Sequence, residues 1–229
     1  MMSIPAQADL HRGRRALTRR TRLPRHRRYR LHGIPESLPP NTKTAQGPEV
    51  FVGAHCVAHL LLTHLLLPHL RAAAQSSSTS GAVRIVWCSS WLAENSSPKF
   101  GIEMDKLASG TGNNMREYAV SKAGDGILSI ECGRLYGEYG ILSVGLNPGN
   151  LNTNAFKGVD GLLRVVLNWV SLYNPRLGAL TELYAGLSGE LTMEGHQGAY
   201  IMPWGRVQES TPRQDIVDGA RPVEVLGVV

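Results

Sequence analysis

Two short apolar runs, Ala82-Val-Arg-Ile-Val-Trp-Cys88 and Ile141-Leu-Ser-Val-Gly-Leu146, each follow a long helical stretch, and this alternation restricts the fold most. Runs apolar on both faces suit parallel strands covered on both sides. Glu49 to Leu70, ahead of the first run, is apolar on most faces and is expected as a long buried helix. Glu117 to about Gly137 reads as the helix between the two strands, with Ala119, Ala123, Ile127 and Ile130 as its packing stripe. Arg71–Gly81 and Asn95–Asn114 read as loops. Leu162–Val170 and Ala179–Leu187 read as helices, and Ala199-Tyr-Ile-Met202 as a last short strand. Helix and strand in strict turn require right-handed crossovers, so the expected fold class is α/β, a doubly wound parallel sheet.

The first 48 residues are of another kind. Ten arginines and Lys43 face only Asp9, Glu36 and Glu49 in residues 1–50, a surplus of eight charges, so the rest of the +6 chain is mildly acidic at −2. With no apolar period and Pro35, Pro39 and Pro40 near its end, residues 1–48 are expected to form a disordered arm. The arm has three readings: an electrostatic nucleic-acid binder, a presequence, or a mis-framed upstream exon, the last being favoured by its discordant composition. Residues 49–210 are expected to form the partial catalytic domain, with a tail over 211–229. Cys56, Cys88 and Cys132 are odd in number and widely spaced, which suits buried free thiols in a reducing compartment and a cytoplasmic location. The apolar run Cys56–Leu70 is short for a bilayer and broken by His59, His64, Pro68 and His69, so no membrane span is expected.

Tyr118-Ala-Val-Ser-Lys122 carries the chemistry. Residues four apart share one helix face. A lysine ammonium under a tyrosine ring favours the phenolate and is expected to draw the phenol's pKa from its usual ~10 toward neutrality. Such a tyrosine can protonate a carbonyl oxygen or deprotonate an alcohol. The first strand ends in Ser89-Ser90, and the second in Pro148-Gly-Asn-Leu-Asn-Thr153. Chemistry collects at such carboxyl ends in open parallel sheets. His55 and His59 have the i, i+4 spacing of a metal pair but lack an HExxH motif and a third ligand, so no metal site is assigned.

Strand-Ser-Ser, Tyr-x-x-x-Lys and Pro-Gly-x-aliphatic-x-Thr, in this order, resemble the short-chain dehydrogenase/reductase family over roughly Glu49 to Trp204. The long interval from Ser90 to Tyr118 looks like the retinol-dehydrogenase-like branch and similar fungal reductases. The resemblance implies a Rossmann-like fold and an NAD(P)-dependent oxidoreductase that moves hydride between nicotinamide and a carbonyl or alcohol. It implies that Ser90 steadies the substrate oxygen and that Tyr118 is the acid or base. Lys122 would tune the tyrosine and bind the nicotinamide ribose. Pro148 and Gly149 would let the backbone pass the nicotinamide, while Leu151 and Thr153 would contact its carboxamide and the adjoining phosphate. NADP is the expected cofactor, with NAD left open.

Two departures stand out. His55-Cys-Val-Ala58 aligns with a family context in which asparagine holds the first position, so His55 joins the expected catalytic set as its replacement, able to relay protons. The glycine-rich turn Thr-Gly-x-x-x-Gly-x-Gly occurs nowhere in the sequence, nor does the Asn-Ala-Gly of a preceding strand. The first third to half of the fold is therefore expected to be absent or replaced, leaving an apolar sheet edge. Phe156, Leu162, Leu163, Trp169 and Tyr173 are candidate lid residues over a small apolar substrate. The competing readings are an inactive relative that acts by association and a nucleic-acid binder working through the arm. The second is disfavoured because no recognition fold accompanies the arginines. A homo-oligomer is left open.

Overall fold

Glu49 starts the first helix by turning back on the chain. Its buried carboxylate accepts hydrogen bonds from the backbone N–H of Phe51 (2.9 Å) and Val52 (3.0 Å), two donors that a helix N-terminus leaves unpaired. The computed structural model describes residues 38–153, 172–209 and 211–220. A π-helical segment, Val52–Val57, runs directly into α1, Ala58–Ser76. The remaining elements are β1 (Val83–Cys88), α2 (Trp91–Ser96), α3 (Asn114–Tyr136), β2 (Ile141–Leu146), α4 (Pro175–Leu187), α5 (Met193–His196), β3 (Tyr200–Met202), β4 (Arg206–Gln208) and α6 (Gln214–Ala220).

The sheet order is β1-β2-β3-β4. β1 and β2 are parallel from Val83 opposite Ile141 to Cys88 opposite Leu146. β2 and β3 are parallel through Gly145 opposite Tyr200, and β4 returns antiparallel. Strand β2 is buried along its whole length and divides the core by its alternation. Leu142, Val144 and Leu146 cluster with Ala185 of α4, Leu191 and Ile201. On the other face Ser143 donates to the Ser129 carbonyl of α3 (2.9 Å) and accepts from the Trp87 indole (3.1 Å). Helices thus cover both faces of a mostly parallel sheet, which is the expected α/β class.

The π-helical segment lies against α3 where Gly124 leaves room. A Cβ there would stand 2.5 Å from the Cys56 sulfur. Overpacking of this kind costs about 1–3 kcal/mol. The Cys56 thiol donates to the Ser121 carbonyl at 3.2 Å.

Several expectations shift. α1 continues to Ser76 because Ala72-Ala-Ala74 are the best helix formers, so half of the expected 71–81 loop is helical. α3 starts at Asn114, since the Asn113 side chain caps it by accepting from Met115 and Arg116. α4 starts at Pro175 behind the Asn174 cap. The Leu162–Val170 helix lies outside the described residues. So do Phe156, Leu162, Leu163 and Trp169 and the arginines of the arm. Residues 38–48, placed in the arm on sequence grounds, are hydrogen-bonded into the body, Leu38 through Asn114 and Thr42 through Val50. Residues 211–220, expected as tail, include Ile216 in the core, and Arg213 binds the Ser97 and Pro98 carbonyls. All three cysteines are free, but Cys88 is exposed rather than buried.

The expected burial of the first helix is the largest correction. Beyond its π-helical turns, α1 exposes Leu61 (56%), Leu62 and Leu65 (63%). Among the described residues, no strand pairs with the free edge of β1, and no element covers these leucines. The whole helix, Val52–Ser76, has 25 residues and is long and apolar enough by length and composition to cross a membrane. The shorter run weighed in the sequence did not indicate this. The bare leucines predict concentration-dependent self-association of the recombinant chain. Leu61→Glu with Leu65→Glu should shift its light-scattering mass toward monomer, with unfolding free energy changed by no more than ~0.5 kcal/mol per site. An identical mass distribution in the two proteins would contradict this.

Candidate active site

β1 and α3 converge on a single ammonium. Lys122 is 7% exposed, and its Nζ donates to the Cys88 carbonyl at the end of β1 (2.8 Å) and to Asp125 Oδ2 (3.0 Å). An ammonium has three donors, so one is left for a ligand hydroxyl. Nζ also stands 5.9 Å from the centre of the Tyr118 ring, within cation–π range. The i, i+4 spacing therefore brings Tyr118 and Lys122 together as expected.

Ser90 completes the group. Its Oγ caps α2 by accepting from the Leu92 N–H (3.2 Å), and it lies close enough to the Tyr118 phenol to pull the phenol's pKa down. A serine oxygen can accept one bond and donate another, so the two roles are compatible. Losing the cap alone would cost about 1 kcal/mol. Ser89, the first of the pair, is structural: it is buried and donates to the Lys122 carbonyl at 2.7 Å.

The phenol's acidity differs from expectation. Burial pushes the Tyr118 pKa up, Lys122 and Ser90 pull it back, and the net shift is upward rather than toward neutrality. The physical reason is burial, which outweighs the Lys122 ammonium, with the carboxylate of Asp125, paired to that ammonium, adding a smaller push in the same upward sense. Burial also disfavours the Lys122 ammonium, but Asp125 and Tyr118 outweigh it, and the lysine pKa is raised.

His55 lies beside this group, its ring edge-on to Tyr118 at 5.7 Å. Its Nδ1 is 2.9 Å from the Ser121 hydroxyl, which donates to the Tyr118 carbonyl at 2.8 Å. With its one proton spent there, Ser121 can only accept from His55, so the ring carries its proton on Nδ1 and leaves Nε2 as an acceptor. Burial, with Lys122 and His59 adding repulsion, lowers its pKa to about 3. At neutral pH it is therefore an uncharged ring. His59 points to Asp125, Nδ1 to Oδ1, at 3.8 Å. Among the described residues, no group of three or more metal-ligating side chains is present.

After β2, Asn147 donates to Glu94 (2.8 Å) and accepts from the Gly149 N–H (2.8 Å). Gly149 is at φ +87°, and a Cβ there would meet the Trp204 ring at 2.7 Å, so glycine is required on both counts. Leu151 bridges to Tyr173 and packs into Gly178, while the Thr153 N–H donates to the Leu151 carbonyl at 2.8 Å. Tyr173 is half exposed and meets Trp204 edge-on at 5.1 Å. Asp125 and Trp204 are the neighbours that sequence reasoning missed. Asp125 sits one turn beyond Lys122, a spacing that by itself could have pointed to it.

No family model matches the chain. It is 37% identical over 179 residues to the short-chain dehydrogenase/reductase iacJ of Pestalotiopsis fici, an alignment covering 78% of this chain and 54% of that protein. It is 41% identical over 184 residues to a short-chain dehydrogenase/reductase of Phomopsis amygdali, covering 79% and 54%. The chain spans about half the length of these curated relatives. Its fold is similar to that of an uncharacterized protein from Mycobacterium paratuberculosis, with a TM-score of 0.51 at 21% identity over 79% of this chain and 58% of that one. With these identities on an α/β sheet of the expected order, the chain belongs to the short-chain dehydrogenase/reductase family.

Proposed function

We propose that this chain carries the catalytic half of an NAD(P)-dependent oxidoreductase that interconverts a small apolar carbonyl compound and its alcohol. The observation that carries the reading is the convergence of Ser90, Tyr118 and Lys122 at the carboxyl end of β1. A bound nicotinamide supplies or accepts the hydride. The free Lys122 donor suits a ribose hydroxyl, and the close backbone at Pro148-Gly149 suits a flat ring, with Leu151 and Thr153 on the same segment. The phosphate-binding side is not matched: the glycine-rich turn is absent from the sequence, and losing several contacts of ~1–3 kcal/mol each weakens cofactor affinity by orders of magnitude. NADP is preferred here on resemblance, and a cytoplasmic location on the unpaired cysteines.

In the reducing direction the Tyr118 phenol gives its proton to the carbonyl oxygen as hydride reaches the carbon, and an alcohol results. Ser90 holds that oxygen beside the phenol. Lys122 stabilises the phenolate left behind, and the raised pKa keeps Tyr118 protonated and ready to donate at neutral pH. Oxidation needs the phenolate, so it should gain rate with rising pH where reduction does not. His55 braces the Tyr118 backbone through Ser121.

Tyr118→Phe should lower turnover of an aromatic diketone with NADPH by about 100-fold or more while circular dichroism is unchanged. Undiminished turnover would remove the mechanism. Titrating NADPH into the wild type should give a saturable change in tryptophan fluorescence, since Trp204 lies on Gly149. No saturable change up to millimolar cofactor would favour the inactive relative acting by association, a reading to which the bare leucines of α1 lend support.

His55 carries a stability prediction. Its folded pKa of about 3 lies below its unfolded value, so the unfolded chain binds the extra proton and stability falls as pH drops from about 7 toward 3. At about 1.4 kcal/mol per unit this amounts to a few kcal/mol at most. In urea unfolding, His55→Asn should lose stability less steeply over that interval; an equal acid loss in both proteins would contradict the assignment.

A further inference from the structure

One oxygen of the buried Asp125 carboxylate has no hydrogen-bond partner among the described residues. Asp125 is 1% exposed, and its other oxygen is held by Lys122. A carboxylate this deep is retained only against positive charge. The nearest candidate for its bare oxygen is His59 Nδ1 at 3.8 Å, on a side chain 51% exposed to solvent. Lys122, Asp125 and His59 therefore form a line of charge from the Tyr118 ring to the protein surface.

We infer that Asp125 is a positioning residue acting through Lys122, and that His59, when protonated, draws on the same carboxylate and weakens its hold. The inference rests on the reading of Tyr118 and Lys122 given above. With His59 neutral, Asp125 belongs to Lys122 alone and offsets part of the ammonium's field at the phenol. With His59 protonated, Asp125 is shared, the ammonium acts more fully on Tyr118, and the phenol becomes the more acidic proton donor. Reduction should therefore speed up as pH falls through the His59 pKa.

The titratable groups facing this line are few. His55 and Cys56 precede His59 on its own helix, Glu49 acts on Cys56 from that helix's start, Lys122, Asp125 and Tyr118 come from α3, and Cys88 at the end of β1 meets Glu182 of α4. His55 stays neutral and Cys56 stays a thiol near neutral pH, both through burial. Of the two histidines on this line, His59 is the one left to change charge there. Its pKa is raised, chiefly by its contact with Asp125, partly offset by burial and by Lys122.

The test has two readouts, one independent of turnover. By NMR titration of the histidine ring protons in the full chain without cofactor, Asp125→Asn should lower the His59 pKa relative to wild type. Lys122→Met should raise it, because the carboxylate is then left to His59. An unmoved His59 pKa in Asp125→Asn would overturn the inference even if Tyr118→Phe behaves as expected. In the pH profile of diketone reduction, the exposed and readily tolerated change His59→Gln should abolish the rise on the acid side of neutrality. A rise that persists in His59→Gln would also overturn it. Where Tyr118→Phe leaves turnover undiminished, the catalytic reading fails by itself, and the histidine titration still decides whether the three charges are coupled.

Discussion

The buried ammonium of Lys122 is the constraint on which the rest of the site depends. It joins the end of β1 to the middle of α3 by bonding the Cys88 carbonyl, and it does so from a position where an unpaired charge would be untenable. Asp125 makes the burial affordable, and removing either partner would leave an ion stranded, a loss of about 3–5 kcal/mol in comparable sites. The fold and the chemistry therefore share one interaction. β1 must end where it does for Cys88 to accept, and α3 must present Tyr118 and Lys122 on one face for the ring to lie within reach of Nζ.

The surroundings are arranged about this point by close backbone approach. Gly124 lets the π-helical segment rest on α3, which brings His55 to Ser121 and fixes the Tyr118 carbonyl. π-Helical turns often mark functional positions. Here the turns carry His55 and Cys56, both of which bond Ser121 of α3. At the other wall, Gly149 accepts a left-handed conformation beneath Trp204.

Much of this was legible in the amino-acid sequence. The apolar runs ending in Ser89-Ser90 and in Pro148-Gly149 gave the parallel pair, and Tyr118 and Lys122 fell on one face as helical spacing requires. What was not legible depended on long-range packing. Asp125 lies three positions after Lys122, but its burial and its partner His59 follow from the approach of another helix. The upward shift of the phenol likewise depends on desolvation, which no local spacing reveals. The exposure of Leu61 and Leu65 was hidden for the opposite reason: an apolar helix implies a covering layer, and among the described residues that layer is missing.

The central claim is that the Lys122 ammonium opposes burial at the Tyr118 phenol and keeps it more acidic than burial alone would leave it. Tyrosines labelled with carbon-13 at Cζ, titrated by NMR in the wild type and in Lys122→Met, test it most directly. The account predicts that the Tyr118 resonance titrates at distinctly higher pH in the variant, since burial would then act with less opposition. A Tyr118 titration at the same pH in both proteins would contradict it.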